Sequence, residues 1–201
     1  MKVLGKGEGM PFDSAIALGM FDGVHLGHRA VINSAVKSKE EGLVPTVFTF
    51  SVGSMVQKHD RELFYIFSNR VKLDIFEQLG VEYVCSPRFG EMKNMSAEDF
   101  AREVLKNKLR AKKVACGHNF HFGKGGVYGF EELCYLGEKY GFKVEGIPKV
   151  SYEDKIISSA LIRECIKIGE VEAANKMLGM NYFLEQVVSH GNKIGRSIDF
   201  P

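Results

Sequence analysis

Gly19–His28 reads GMFDGVHLGH, and it follows the apolar run Ala15–Phe21 (AIALGMF). The run is β-prone and predicts a buried strand. A glycine-rich turn follows, and apolar periodicity then predicts a helix from about Leu26 to Glu41, with Gly42 where a helix C-terminus commonly needs one. Strand, turn and helix put unpaired first-turn amides and the positive end of a helix dipole beside His25 and His28. Three residues apart, those imidazoles share one helical face. Amides and imidazoles together suit phosphate, and Gly19, Gly23 and Gly27 let backbone come close to a ligand. Two other readings compete: a metal site from His25, His28 and Asp22, for which no further ligand set is visible, and histidines placed for packing.

Outward from this turn, strand and helix patterns alternate. Val44–Phe50 reads as a strand, Ser68–Leu79 as a helix ended by Gly80, and Glu82–Cys85 as a short strand. Ser96–Asp99 resembles a capping box with Asp for Glu, opening a helix to about Leu109. Lys113–Gly117 reads as extended, Phe130–Tyr140 as helical and Phe142–Ile147 as extended. Repeated strand–helix units predict an α/β fold, a Rossmann-like, doubly wound parallel sheet covered by helices. Two short helices, Ser159–Ile168 and Glu170–Leu178, are ended by Gly169 and Gly179, and Tyr182–Ser189 reads as a strand. A strand and loop at that point have no partner within a compact α/β unit. The expected domains are therefore 1–180, and 181–201 as the start of a second unit.

The chain has 201 residues, 45% apolar and 26% charged, an ordinary globular mix for one substantial domain. A net charge of +2 is too small to argue for nucleic acid or an anionic membrane surface, and neither is expected as a partner. No apolar run approaches the roughly 18 residues of a membrane span, and the N-terminus lacks a secretory signal. Cys85, Cys116, Cys134 and Cys165 form no CxxC pair, so they read as buried thiols of a reducing, cytoplasmic setting. Oligomeric state is left open.

Two further stretches carry candidate chemistry. In GHNFHFGKGGVYG, Gly117–Gly129, Asn119 can donate and accept hydrogen bonds. Phe120 and Phe122 are either core or, for Phe122, a platform on which a ligand's ring could stack. The glycines there do not have dinucleotide-fingerprint spacing. In ISSALIR, Ile157–Arg163, Ser159 is placed to cap a helix, with Arg163 four residues along on the same face. Hydroxyls, helix-start amides and a guanidinium suit phosphate groups; a capped surface helix with a solvated arginine is the alternative.

Taken together, Gly19–His28, Leu79–Glu103, Gly117–Gly129, Ile157–Arg163 (a form of ISSTxIR) and Gly169–Gly179 resemble, in order and spacing, the bacterial FAD synthetases, which are bifunctional riboflavin kinase–FMN adenylyltransferases of the HxGH nucleotidyltransferase superfamily. Val187–Pro201 resembles the opening of the β-rich kinase domain, so a short stub of that domain is expected at 181–201, with no kinase activity from some twenty residues. The resemblance implies direct transfer of AMP from ATP to FMN. His25, His28 and Arg163 would be catalytic. Gly19, Phe21, Gly23, Asn119, Ser158 and Ser159 would bind ATP, and Thr49, Phe50 and Phe122 would bind FMN. ATP, Mg2+ and FMN/FAD are the implied substrates and cofactors; none of the residues is assigned as a metal ligand. Three positions depart from the family pattern: Met20 in place of Asn, Ala160 in place of Thr, and Ser51–Ser54 in place of the usual DPHP; in the tail, Asp199 replaces a Gly. These departures keep open a transferase for another phosphorylated acceptor and a non-catalytic nucleotide- or flavin-binding paralogue.

Overall fold

The computed structural model describes residues 1–51 and 65–186. Along the chain run β1 (Lys2–Val3), β2 (Ser14–Leu18), α1 (Leu26–Lys37, continued by a 3-10 turn Ser38–Glu41), β3 (Val44–Phe48), α2 (Asn69–Gln78) and β4 (Tyr83–Cys85). Then come α3 (Phe89–Met92), α4 (Ala97–Asp99, continued by the π-wound Phe100–Lys108), β5 (Ala111–Gly117), α5 (Phe130–Tyr140) and β6 (Lys143–Ile147). A small hairpin of β7 (Ser151–Tyr152) and β8 (Lys155–Ile156) leads into α6 (Ser159–Ile168) and α7 (Val171–Leu178).

The main sheet has the order β1-β4-β3-β2-β5-β6, and each pairing in it is parallel. Every residue of the central strand β2 is buried, as a strand covered on both faces requires. On one face, α1, α2, α6 and α7 contribute Ile32, Phe76, Ile162 and Leu178 to a core layer. On the other, Leu105 and Leu133 belong to a second layer. This is the doubly wound Rossmann-like arrangement the alternation predicted. Strand order reverses between β2 and β5, and a crevice opens at the carboxyl ends of strands at such a switch.

Local chemistry sets most boundaries. Gly42, Gly169 and Gly179 end their helices in the left-handed conformation, and Ser68 caps α2 through a hydrogen bond from Val71 N–H. The capping box at Ser96 is half formed: its hydroxyl accepts from Asp99 N–H at 3.0 Å and donates to the Asp99 carboxylate at 2.7 Å.

Several expectations need correction. β2 stops at Leu18, so Phe21 lies in the turn rather than the strand. β3 likewise stops at Phe48; beyond it Phe50 lines the crevice, while Thr49 is buried with its N–H donating to Cys85 C=O at 3.0 Å. The helix expected through Leu109 is α-helical only over Ala97–Asp99; its continuation is wound wider, with Leu109 N–H donating five residues back to Val104 C=O at 2.9 Å. The buried side chains Phe100, Val104 and Leu109, spaced by four and five, suit that wider turn. Of the strand expected at Tyr182–Ser189, residues 182–186 are not extended in any sheet, because Tyr182 and Phe183 pack their rings against Phe67 instead, with centroids 6.1 and 5.3 Å away. The rest of that segment lies outside the described residues, as does all but the first residue of the altered Ser51–Ser54 stretch.

Candidate functional site

The turn between β2 and α1 is built from strained backbone held by packing. Phe21 and Val24 adopt φ of 52° and 40°, and Gly23 a φ of 79°. Non-glycine residues in that region persist only where their surroundings fix them. Phe21 is fixed by its burial edge-on to Phe76, with ring centroids 5.8 Å apart. At Gly19, a Cβ would stand 2.8 Å from the Phe21 ring, so no larger residue fits there without moving it.

His25 is the N-cap of α1. Its Nδ1 accepts from His28 N–H at 3.3 Å, and the two rings stack with centroids 3.6 Å apart. Nδ1 is therefore the unprotonated nitrogen of a neutral His25, which leaves Nε2–H as a donor. Burial pushes the His25 pKa down to about 4. His28 is held well below its ordinary value by burial, then by the nearby His25 and Lys72. Its Nδ1 is buried with no partner among the described residues, an unpaired polar atom of the kind a ligand satisfies. Near pH 7 both imidazoles are neutral.

Behind the turn lies a polar layer. Asp22 accepts from Ile66 N–H at 3.0 Å and pairs with the Arg163 guanidinium. Burial raises the Asp22 carboxyl, against the opposing pull of Ile66 N–H, Arg163 and Lys72. Both Asp22 oxygens are thus engaged, one by Ile66 N–H and the other by Arg163. Among the described residues no three of His, Cys, Asp and Glu cluster as a metal site. Thr49, buried, donates its hydroxyl to Met20 C=O at 2.9 Å. Met20 therefore serves the turn through its carbonyl, and its side chain points outward, 37% exposed; the departure from Asn leaves this backbone anchor intact.

One cavity of about 1000 Å3 runs along the carboxyl ends of the strands. It is lined by Gly19, Phe21, His25 and His28 at the turn, by Ser158 and Ser159 at the start of α6, and by Asn119, Phe50 and Phe122 farther along. Ser158, rather than Ser159, caps α6, accepting from Leu161 N–H at 3.2 Å; Ser159 instead donates to Asp22 C=O at 2.9 Å, tying α6 to the turn. Gly23, Thr49 and Arg163 do not line the cavity. Gly23 faces Ile66, Thr49 is spent on Met20, and Arg163 stands behind Asp22.

The far half of the cavity is apolar. Phe50 packs edge-on against Phe48 and Phe89, and Phe122 stacks on Phe120 with centroids 5.9 Å apart. Phe122 is buried in the second core layer and also lines the cavity. Met92 and Met95 add adaptable apolar surface. Lys93, Lys124 and Lys149 also line the cavity, and no Asp or Glu does among the described residues. These lysines and methionines were missed in the sequence, as was Lys72. Its signal was a lysine sharing a helical face with Ile75 and Phe76.

The fold and the cavity together define a Rossmann-like α/β protein with an anion-suited, histidine-capped helix start at one end of its crevice and an aromatic surface at the other. The chain belongs to the FAD synthetase family, whose model matches residues 9–161. Similar curated proteins include the bifunctional riboflavin kinase/FMN adenylyltransferases of Bacillus subtilis and Buchnera aphidicola. The first is 36% identical, covering 94% of this chain and 60% of that protein. The second is 31% identical, covering 94% of this chain and 62% of that protein. The chain thus spans about three-fifths of the length of these relatives. A crystal structure described as a macrolide-efflux protein from Streptococcus pneumoniae superposes with a TM-score of 0.85 at 28% identity, over 97% of this chain and 64% of that one. In the present chain, no helix among the described residues is long and apolar enough to cross a membrane.

Proposed function

We propose that this protein transfers the AMP moiety of ATP to FMN, forming FAD and pyrophosphate. A single cavity that joins a phosphate-suited turn to an aromatic wall, in a member of this family, is the observation that carries the reading. An oxygen of the FMN phosphate attacks the α-phosphorus of ATP in line. A phosphoanhydride bond forms to the flavin, and the bond to the β-phosphate breaks. A phosphate monoester with its second pKa about 6 is already ionised near neutrality, so no general base is required. Catalysis reduces to positioning and charge stabilisation.

In this reading His25 Nε2–H and His28 meet the nucleotide's phosphates and the charge that grows in the transition state. Ser158, Ser159 and the first amides of α6 receive the pyrophosphate. Arg163 reaches it only by exchanging the Asp22 carboxylate for phosphate. Asn119 is assigned to the nucleotide, and Phe50 and Phe122 to the isoalloxazine ring. The cavity's described lining offers Mg2+ no carboxylate, so the ion belongs with the triphosphate as part of the substrate. Residues 1–180 are read as the transferase unit and 181–201 as the opening of an adjoining kinase-like one. A cytoplasmic setting is in keeping with four free cysteines, and the partners are small molecules rather than nucleic acid or membrane.

The test is incubation with ATP, Mg2+ and FMN, with FAD and pyrophosphate followed by chromatography. FAD formed in step with pyrophosphate supports the reading. Turnover of ATP only with another phosphorylated acceptor, or binding without turnover, sinks it.

A further inference from the structure

Lys72 is a buried cation that the transfer reaction as written does not use. It sits on α2 at 3% exposure, its stem among apolar neighbours. Its ammonium donates to Met20 C=O at 3.0 Å and lies 3.4 Å from the Thr49 hydroxyl, which donates to the same carbonyl. One carbonyl in the middle of the phosphate turn therefore takes donors from two other elements, α2 and the segment after β3. Burying an ammonium costs several kcal/mol, and a position serving only packing would be filled at lower cost by an apolar side chain.

The anchored carbonyl has a geometric consequence. The chain has no cis peptide bond among its described residues, so C=O and N–H of each peptide point in opposite directions. With Met20 C=O drawn to Lys72 and Thr49, the Phe21 N–H points the opposite way, and Gly19, Met20 and Phe21 all line the cavity. Phe21 holds its left-handed φ of 52° directly after this peptide. A conformation of that kind needs fixing from outside, and the two donors supply it.

We propose that Lys72 is a positioning residue for the phosphate site: with Thr49 it locks the Met20–Phe21 peptide so that the Phe21 N–H is presented to the substrate's phosphates. This rests on the nucleotide reading of the cavity given above. Burial holds the Lys72 ammonium down to about 8, so it is still charged near neutrality. Asp22, with Arg163 behind it, and His28 are the ionisable groups that face it.

The experiment compares the native protein with K72M, T49V and the double variant by calorimetric titration with ATP alone, by kcat and KM for FAD formation, and by thermal melting. K72M keeps similar volume without the buried charge, so its Tm is expected at or above the native value. ATP affinity should fall about 3- to 10-fold and kcat about 10-fold or more, while the KM for FMN moves less than about twofold. Because both side chains act through one carbonyl, the double variant should lose little more than K72M alone. K72M that is folded and binds ATP within twofold of native affinity overturns the proposal, and so do losses that multiply in the double variant. Should K72M fail to fold, T49V decides: weakened ATP binding supports the proposal and native affinity overturns it. A native protein that binds ATP but forms no FAD overturns only the acceptor assignment, since the titrations contain no FMN.

Discussion

At one end of the cavity the turn around His25 and His28 is fixed by named hydrogen bonds: His28 N–H on His25 Nδ1, Thr49 and Lys72 on Met20 C=O, and Ser159 on Asp22 C=O. At the other end, Phe48, Phe50, Phe89, Phe120 and Phe122 pack ring against ring, and two methionines fill the gaps. The polar end depends on angles and on the absence of Cβ atoms, so few residues serve at each position. The apolar end depends on volume and shape, which many side chains supply. The proposed function therefore assigns acceptor choice to the half of the cavity with the weaker sequence signature, and phosphate chemistry to the half with the stronger one.

Three substitutions break or sharpen that contrast. His28→Ala removes a preorganised group at the phosphate end and should lower kcat for FAD formation by about 10²–10³, with an unchanged circular dichroism spectrum. Gly23→Ala places a Cβ on a left-handed backbone, 2.7 Å from Ile66 Cδ1. It should cost about 1–2 kcal/mol, seen as a Tm lower by about 2–8 °C. Phe50→Ala acts at the soft end. It should raise the KM for FMN about 2- to 10-fold and leave ATP affinity alone, because one ring contact is lost among several. A matching loss of ATP affinity would mean the two ends are not separate.

The smallest effect concerns pH. His25, with its pKa depressed to about 4, stays neutral across the range where an ordinary histidine titrates, so kcat/KM should show no break near 6.5. Lys72 loses its charge as pH rises through about 8, so kcat/KM for ATP should decline on that side, and K72M should lack the decline. The accompanying stability runs the other way. Unfolded Lys72 binds its proton up to about 10.5, so between about 8 and that value the unfolded state holds more protons and stability rises with pH.

The same contrast explains what could be read from residues alone. The turn made by Gly19, Gly23 and the N-cap His25 was legible because each answers a backbone or capping requirement that few residues meet. The helix ends at Gly42, Gly169 and Gly179 were legible for the same reason. Lys72 was not, because a lysine is normally solvated, and only the apolar residues three and four positions on mark its face as buried. The pairing of Arg163 with Asp22, 141 residues away, was not legible, because it leaves no local trace. The wide winding of Phe100–Lys108 and the packing of Tyr182 on Phe67 are tertiary outcomes, set by what lies opposite rather than by local propensity.

The most direct measurement is a crystal structure with a non-hydrolysable ATP analogue and FMN bound together. The account predicts the triphosphate against His25, His28 and the start of α6, with the isoalloxazine ring against Phe50 and Phe122 and the FMN phosphate in line with the α-phosphorus. A triphosphate bound away from both histidines, or a flavin outside this cavity, would contradict it.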